Sequence, residues 1–379
     1  MRFPKSSFLS ILYAATLVFS LGCGQEGSIG NEPAKNGVAE SPVGQMPPAS
    51  TNDVPATERI IRSPVAGADD QSAGQPPNIL LIVGDDIGFG DLGISGSVTK
   101  TPNLDRLAQQ GVMFSSFHTS PVCSVTRAML LTGNDPIDVG LGAFDYALYP
   151  PAKGKPGYES YLTPTTATIA ELLKDAGYRT SMVGKWHLGG THHGGEGPHK
   201  WGFDRSYAIY TGGSNHWNQG VFHVDMHDPE VVALVKAGKV PQEPFYEDGK
   251  EVDRPLGIYS DDLYTSKMLE YLEEGRESGA PFFAYVAYTT AHAPLQAPDF
   301  LIDKYYEHYL KLGFEGLKRA RFDSQKALGI ISQDAVFPDS SRNRLLRAWS
   351  SLSEEEQRRQ ARSMATYSAM MESQDYHIG

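Results

Sequence analysis

The sequence predicts an α/β fold built on a largely parallel sheet. Three observations carry that reading. Short apolar runs occur without alternation, as in strands buried on both faces. Helix signals fall between those runs. Each run also delivers a polar residue just past its end.

The elements follow in chain order. Asn78 to Val83 (N-I-L-L-I-V) is a continuous apolar strand that ends in Gly84-Asp85-Asp86. Thr101 to Asp105 opens a helix with proline in its first turn, and Gly111 closes it. Val112 to Phe117 reads as a second short strand feeding Cys123. From about Ser124 a helix runs through Ala128, Met129, Leu130 and Leu131 and stops at Gly133. Thr163 to Ala176 is another helix, with Ile169, Leu172 and Leu173 on one face and Gly177 as its stop. Tyr178 to Val183 is a third strand, leading into Gly184-Lys185-Trp186-His187. Pro281 to Tyr288 is a fourth, and His292 follows it. Ser353 and Glu356 form a capping box before a last helix through Met364, Tyr367, Met370 and Met371.

Composition sets outer limits. The 379 residues are 40% hydrophobic, enough for a sizeable core, and carry a formal charge of -12. That charge argues against nucleic acid as a partner, while leaving room for a local cationic pocket. Two cysteines make no disulfide framework. Met1 to Cys23 reads as an export signal: Arg2 and Lys5 precede an apolar stretch, Phe8 to Leu21. Its ending, Leu21-Gly22-Cys23, resembles a bacterial lipoprotein box, which implies a lipid anchor at Cys23 and a periplasmic or outer-membrane location. Residues 24–76 are crowded with Gly, Pro, Ala, Ser and Asn, the composition of a flexible linker. The ordered domain spans 77–379.

Asp85, Asp86, Cys123, Lys185, His187 and His292 all sit past a predicted strand, at the edge where open α/β sheets bind ligands. Cys123 stands at a helix N-terminus, where unpaired N–H groups and the dipole favour an anion. Arg127, one turn inside, adds positive charge. The alternative is a small buried hydrophobe under an ordinary helix. Asp85-Asp86 is either a hard-cation site, since adjacent carboxylates repel, or a solvated turn. Lys185 and His187 read equally as an ion-paired strand end, and His292 as a loop histidine. Thr191 to Gly195, with His192 and His193, lacks the ligand company of a zinc site. Trp201, His216 and Trp217 read as packing residues, with leaving-group contact as the alternative.

Pro121 to Gly133 (P-V-C-S-V-T-R-A-M-L-L-T-G) resembles the sulfatase signature C/S-x-P/A-x-R, with Val125 where the family has Pro or Ala. N-I-L-L-I-V-G-D-D-I-G-F-G-D-L-G, G-K-W-H-L-G and T-T-A-H-A-P-L-Q-A-P resemble three further motifs of that family, in the same order, across Pro77 to Gly379. The resemblance implies an alkaline-phosphatase-like fold and hydrolysis of sulfated aromatic or carbohydrate esters. It implies that a formylglycine-generating enzyme converts Cys123 to formylglycine, the nucleophile once hydrated. Asp85, Asp86 and position 123 would bind calcium, and Arg127 would steady the modified residue. Lys185 would bind sulfate, His187 would contact the hydrate, and His292 would meet the sulfate near the leaving oxygen. The family completes its calcium site with an Asp-Asn pair, and its active site with a second lysine, from later strands. No such pair follows Gly379, so the expectation is the N-terminal portion of that domain, its C-terminal part missing. Two other classes remain: a phosphodiesterase or phosphonate hydrolase using the same site, and an inactive lipoprotein that binds sulfated glycans.

Overall fold

The computed structural model describes residues 76–144, 148–190, 194–217, 233, 237, 243–338 and 347–379. The export signal, all of the linker but Pro76, and the His192-His193 pair lie outside the described residues. Among those residues, no helix is long and apolar enough to cross a membrane.

Six strands form one sheet: β1 (Ile79–Val83), β2 (Arg179–Lys185), β3 (Arg205–Ile209), β4 (Phe245–Glu247), β5 (Lys250–Val252) and β6 (Phe282–Ala287). Their spatial order is β1-β6-β2-β3-β4-β5. The first four in that order are parallel, and β4 and β5 join them antiparallel. Asp248 and Gly249, at φ 51° and 82°, turn β4 into β5. Asp-Gly is the dipeptide such a two-residue hairpin favours.

Burial explains the apolar run of β6, whereas β1, at the sheet edge, has no fully buried residue and leaves Leu80 54% exposed, so the expectation of burial on both faces fails there. On β6, Phe283, Tyr285 and Ala287 face one core with Met182 and Trp186, while Ala284 and Val286 face a second with Val183 and Ile209. Both faces are dry, as in parallel sheets covered by helices. Helix α1 (Pro102–Gln110) starts with proline. Helix α2 (Cys123–Thr132) ends at Gly133, whose φ of 67° suits a residue without Cβ. Helix α3 (Ile169–Asp175) and α2 place Ala170, Ala128 and Leu131 in the first core. Helix α4 (Ser260–Glu274) covers the other face through Leu263, Tyr264, Met268 and Tyr271.

A third core joins α5 (Asp299–Ala327), kinked at Gly313, to α6 (Glu354–Ile378). Ala361, Ala365 and Ala369 recur at i+4 along α6, so Ile302, Tyr305 and Tyr309 of α5 pack close against it. The α6 carboxylate of Asp375 caps α1, accepting from the backbone N–H groups of Asn103 and Leu104.

The α/β expectation holds, and several elements differ. Val112 to Phe117 is not a strand: Val112 is 57% exposed, and Phe114 and Phe117 are each 70% exposed. Strand-forming side chains do not make a strand without a neighbour to complete the ladder. The helix expected from Thr163 begins at Ile169, because Thr168 and Glu171 form the capping box there. Of its expected apolar face, Leu173 packs on the core, but Leu172 is 60% exposed. β3, β4, β5, α4 and α5 arise in stretches without clear periodicity.

Candidate active site

The carboxyl ends of β1, β2 and β6 lie side by side, and α2 points its N-terminus at them. Asp85 continues β1, and its backbone is tied to the β6 end: its N–H donates to Thr290 O at 2.9 Å, and its carbonyl accepts from Ala291 N at 2.8 Å. Cys123 is the first residue of α2 and a half-buried free thiol. Lys185 is the last residue of β2, and the turn after it places His187 at φ 57°. Gly184, just before Lys185, has φ 99°, and a Cβ there would stand 2.0 Å from Ala287 O. Glycine is thus required for β2 to run beside β6 into the site.

Two groups converge on the thiol. Lys185 Nζ and His187 Nδ1 each lie 3.3 Å from Cys123 Sγ. The same ammonium donates to Asp85 Oδ2 at 2.6 Å, and an Arg127 amino group lies 3.6 Å from Asp85 Oδ1. Arg127 also donates to Lys185 O at 3.0 Å and to Tyr285 OH at 3.2 Å. Asp85, Arg127 and Lys185 are 3%, 2% and 0% exposed. Burial works against the Asp85 charge, but Lys185, Arg127 and His292 outweigh it and hold the carboxyl below its ordinary range. Burial likewise opposes the Arg127 charge, and Tyr285, Asp85 and the Cys123 thiol raise its pKa in spite of it. Two cations against one carboxylate leave one net positive charge beside the sulfur.

The rim differs from this interior. Asp86, also at φ 57°, is exposed, and its Oδ2 lies 3.8 Å from His292 Nε2. Tyr367 of α6 donates to Asp86 O at 2.8 Å. His292 Nδ1 donates to Ala293 O at 2.7 Å, which leaves Nε2 toward the opening. Phe144 packs edge-on against the His187 ring, their centroids 4.3 Å apart.

The structure therefore groups Asp85, Cys123, Arg127, Lys185 and His187 tightly, with Asp86 and His292 beside them. It adds Gly212 and Gly213, which sequence reasoning passed over. A Cβ on Gly212 would come within 3.0 Å of the His187 ring, and one on Gly213 within 3.2 Å of the His292 ring. A glycine pair just past a strand was the available signal. Trp201 lies in the first core. His216 is buried and hydrogen-bonded to Ser260 and His292 O, and Trp217 rests on Tyr259.

The donor chemistry suits an oxygen nucleophile at position 123, since both neighbours of Sγ can hydrogen-bond an oxygen in its place. It does not complete a calcium site. Calcium takes six to eight oxygens. Among the described residues no group of three or more His, Cys, Asp or Glu side chains gathers for a metal, and Asp85 is already engaged by two cations. Val125, where the resemblance departs, is a buried α2 residue.

Comparison with known proteins agrees. The sulfatase family model matches residues 77–379. The chain is 38% identical over 314 residues to an uncharacterised sulfatase of Schizosaccharomyces pombe, covering 82% of this chain and 54% of that one. It is 35% identical over 315 residues to an arylsulfatase of Klebsiella aerogenes, covering 83% and 63%. Among solved structures, Ps i-CgsB superposes with a TM-score of 0.53 at 27% identity, covering 80% of this chain and 54% of that one. A second structure of that protein, in complex with k-i-k-neocarrahexaose, gives 0.52 at 26% identity and the same coverage. The chain thus spans roughly half to two thirds of the length of these relatives. With three motifs at strand ends and the fourth at the start of α2 in a matching fold, the chain belongs to the sulfatase family.

Proposed function

We propose that the chain hydrolyses sulfate esters of aromatic or carbohydrate alcohols through a nucleophile at position 123. The observation that carries this is the convergence of Lys185 Nζ and His187 Nδ1, each 3.3 Å from Cys123 Sγ. Oxidised by a formylglycine-generating enzyme and hydrated, position 123 supplies a hydroxyl nucleophile where the thiol stands. The other roles belong to the surrounding side chains.

Lys185, paired with Asp85, binds sulfate oxygens, and the α2 N-terminus adds aligned N–H groups. Arg127 fixes the start of α2 to β2 and β6 through Lys185 O and Tyr285. His187 Nδ1 lies within reach to take a proton from a hydroxyl at position 123. Lys185 supplies the proton of the departing alcohol, and His292, whose Nδ1–H is held by Ala293 O, presents Nε2 toward that alcohol as a hydrogen-bonding partner.

Asp85 and Asp86 are this chain's contribution to a divalent-cation site, calcium by the preference of carboxylate oxygens. Two carboxylates supply fewer oxygens than the six to eight calcium takes, and no step above runs through the cation. The export signal and Cys23 make the protein a lipoprotein outside the cytoplasm.

The test is hydrolysis of 4-nitrophenyl sulfate after coexpression with a formylglycine-generating enzyme, with the mass of the peptide holding position 123 measured in parallel. Wild-type turnover that vanishes in Cys123→Ala supports the proposal. Turnover untouched by that change, or an aldehyde present without turnover, overturns it. Faster cleavage of bis(4-nitrophenyl) phosphate would favour the phosphodiesterase reading.

A further inference from the structure

The first turn of α4 holds two buried polar residues that no step above uses. Ser260 is 2% exposed and Asp261 0% exposed. Serine and aspartate at a helix start normally cap that helix, yet the N-cap of α4 is Tyr259, with no side-chain cap bond. Ser260 meets the His216 ring instead, and Asp261 reaches Thr290, just past the end of β6. Burying a carboxyl is costly unless its bonds are needed.

We propose, building on the sulfatase reading, that Ser260 and Asp261 are positioning residues for this site. Ser260 acts through His216 on the carbonyl of His292. Asp261 acts through the Thr290 hydroxyl on the turn that carries His292 and bonds Asp85.

The first strut has a fixed direction. His216 Nε2 faces His292 O at 3.0 Å, and its Nδ1 faces Ser260 Oγ at 2.8 Å. A carbonyl only accepts, so Nε2 carries the proton. Burial holds His216 neutral, with its pKa lowered to about 4, so Nδ1 accepts and Ser260 donates. The second strut is Thr290 Oγ1 donating to Asp261 Oδ1 at 2.9 Å. The backbone of the same residue is fixed from two other sides: Thr290 O accepts from Asp85 N at 2.9 Å and from Gln374 Nε2 of α6 at 3.3 Å. His292 N in turn donates to Thr289 O at 2.9 Å. Residues 289–292 are thus held by α4 through side chains and by β1 and α6 through backbone.

Asp261 also titrates near neutrality. Burial pushes its carboxyl up to about 7, against the Thr290 hydroxyl, His377 and Ser373, while Asp262 adds to the rise. Tyr259, Tyr264 and Tyr288 face it as well.

The experiment uses the full chain bearing the aldehyde, with Ser260→Ala, Asp261→Ala, Asp261→Asn, Thr290→Val and Thr290→Ser. Two readouts are taken: the His292 ring tautomer and 15N ring resonances by NMR, which need no substrate, and kcat and KM with 4-nitrophenyl sulfate. Ser260→Ala, Asp261→Ala and Thr290→Val are expected to shift the His292 ring resonances away from their wild-type positions. The same variants should lower kcat about tenfold or more, with KM within about twofold. Asp261→Asn and Thr290→Ser keep an acceptor and a donor, and should restore both readouts. Unchanged His292 ring resonances in all variants, or Asp261→Asn as damaging as Asp261→Ala, overturns the proposal. Should Asp261→Ala fail to fold, the Thr290 pair tests the same bond from its other end. A wild-type chain that turns over nothing would count against the sulfatase reading, while the NMR readout still decides the struts.

Discussion

Replacing Asp85 with asparagine strands two cations in the protein interior. Lys185 Nζ lies 2.6 Å from one carboxylate oxygen and Arg127 3.6 Å from the other. At an effective dielectric of about 20, those distances correspond to gross attractions of about 6 and about 5 kcal/mol. Desolvation of three charges and repulsion between the two cations cancel more than half of that. The net loss expected for Asp85→Asn is about 3–5 kcal/mol, the range for breaking a buried ion pair from one side. Removing one stranded cation should then help, so Lys185→Met in the Asp85→Asn background is expected to recover about 2 kcal/mol. The assay is urea denaturation at pH 7 of the two single variants, the double variant and the wild type.

The pH dependence has a definite sign. Asp85 titrates below its ordinary value of 3.8 in the folded chain, so its contribution is present above that value and lost as pH falls through the folded one. The wild-type and Asp85→Asn stabilities should therefore converge in acid. A loss below about 1 kcal/mol for Asp85→Asn, or single losses that simply add in the double variant, would refute the reasoning.

Three further outcomes are expected. Gly184→Ala puts a Cβ 2.0 Å from Ala287 O at φ 99°, and should cost about 3 kcal/mol or more, with faster hydrogen exchange along β6. The neutral form of His216 is what folding favours. Its stabilisation is complete above the ordinary value of 6.5 and is lost as pH falls toward about 4, a span worth about 3 kcal/mol. His216→Gln should flatten that part of the stability curve in denaturation experiments run from pH 7 to pH 4. Thr168 caps α3 by accepting from Glu171 N, and its hydroxyl also reaches Trp201 O at 2.9 Å. Thr168→Ala should lower stability by about 1–2 kcal/mol, and Thr168→Ser should restore most of it in thermal melts.

Local pattern was enough for β1, α1, α2 and α6. Each is a short apolar run or periodic stretch with its own punctuation: proline after Thr101, glycine at 111 and 133, Ser353 with Glu356. The same pattern placed Asp85, Lys185 and His292 beyond strands that form, while Cys123 was placed past a strand that does not and stands instead at the start of α2. Where punctuation was weak the reading failed. β3 is five residues, R-S-Y-A-I, without strong alternation, and α5 carries charges along most of its 29 residues. Val112 to Phe117 had strand composition, but no neighbouring strand in the described residues pairs with it.

What the linear chain determined, then, was which residue types stand at strand ends and helix starts, because those signals act over a few neighbouring residues. Burial and partnership were settled only by the tertiary structure. In sequence, Lys185 reads as an ion-paired strand end and Arg127 as positive charge inside a helix, Asp261 carries no signal, and the full burial of all three is not legible. They are interior because β6 passes between β1 and β2, bringing Lys185 onto Asp85 and Thr290 onto Asp261. Whether a buried charge or a histidine tautomer is tolerated depends on groups that are distant along the chain and adjacent only after folding.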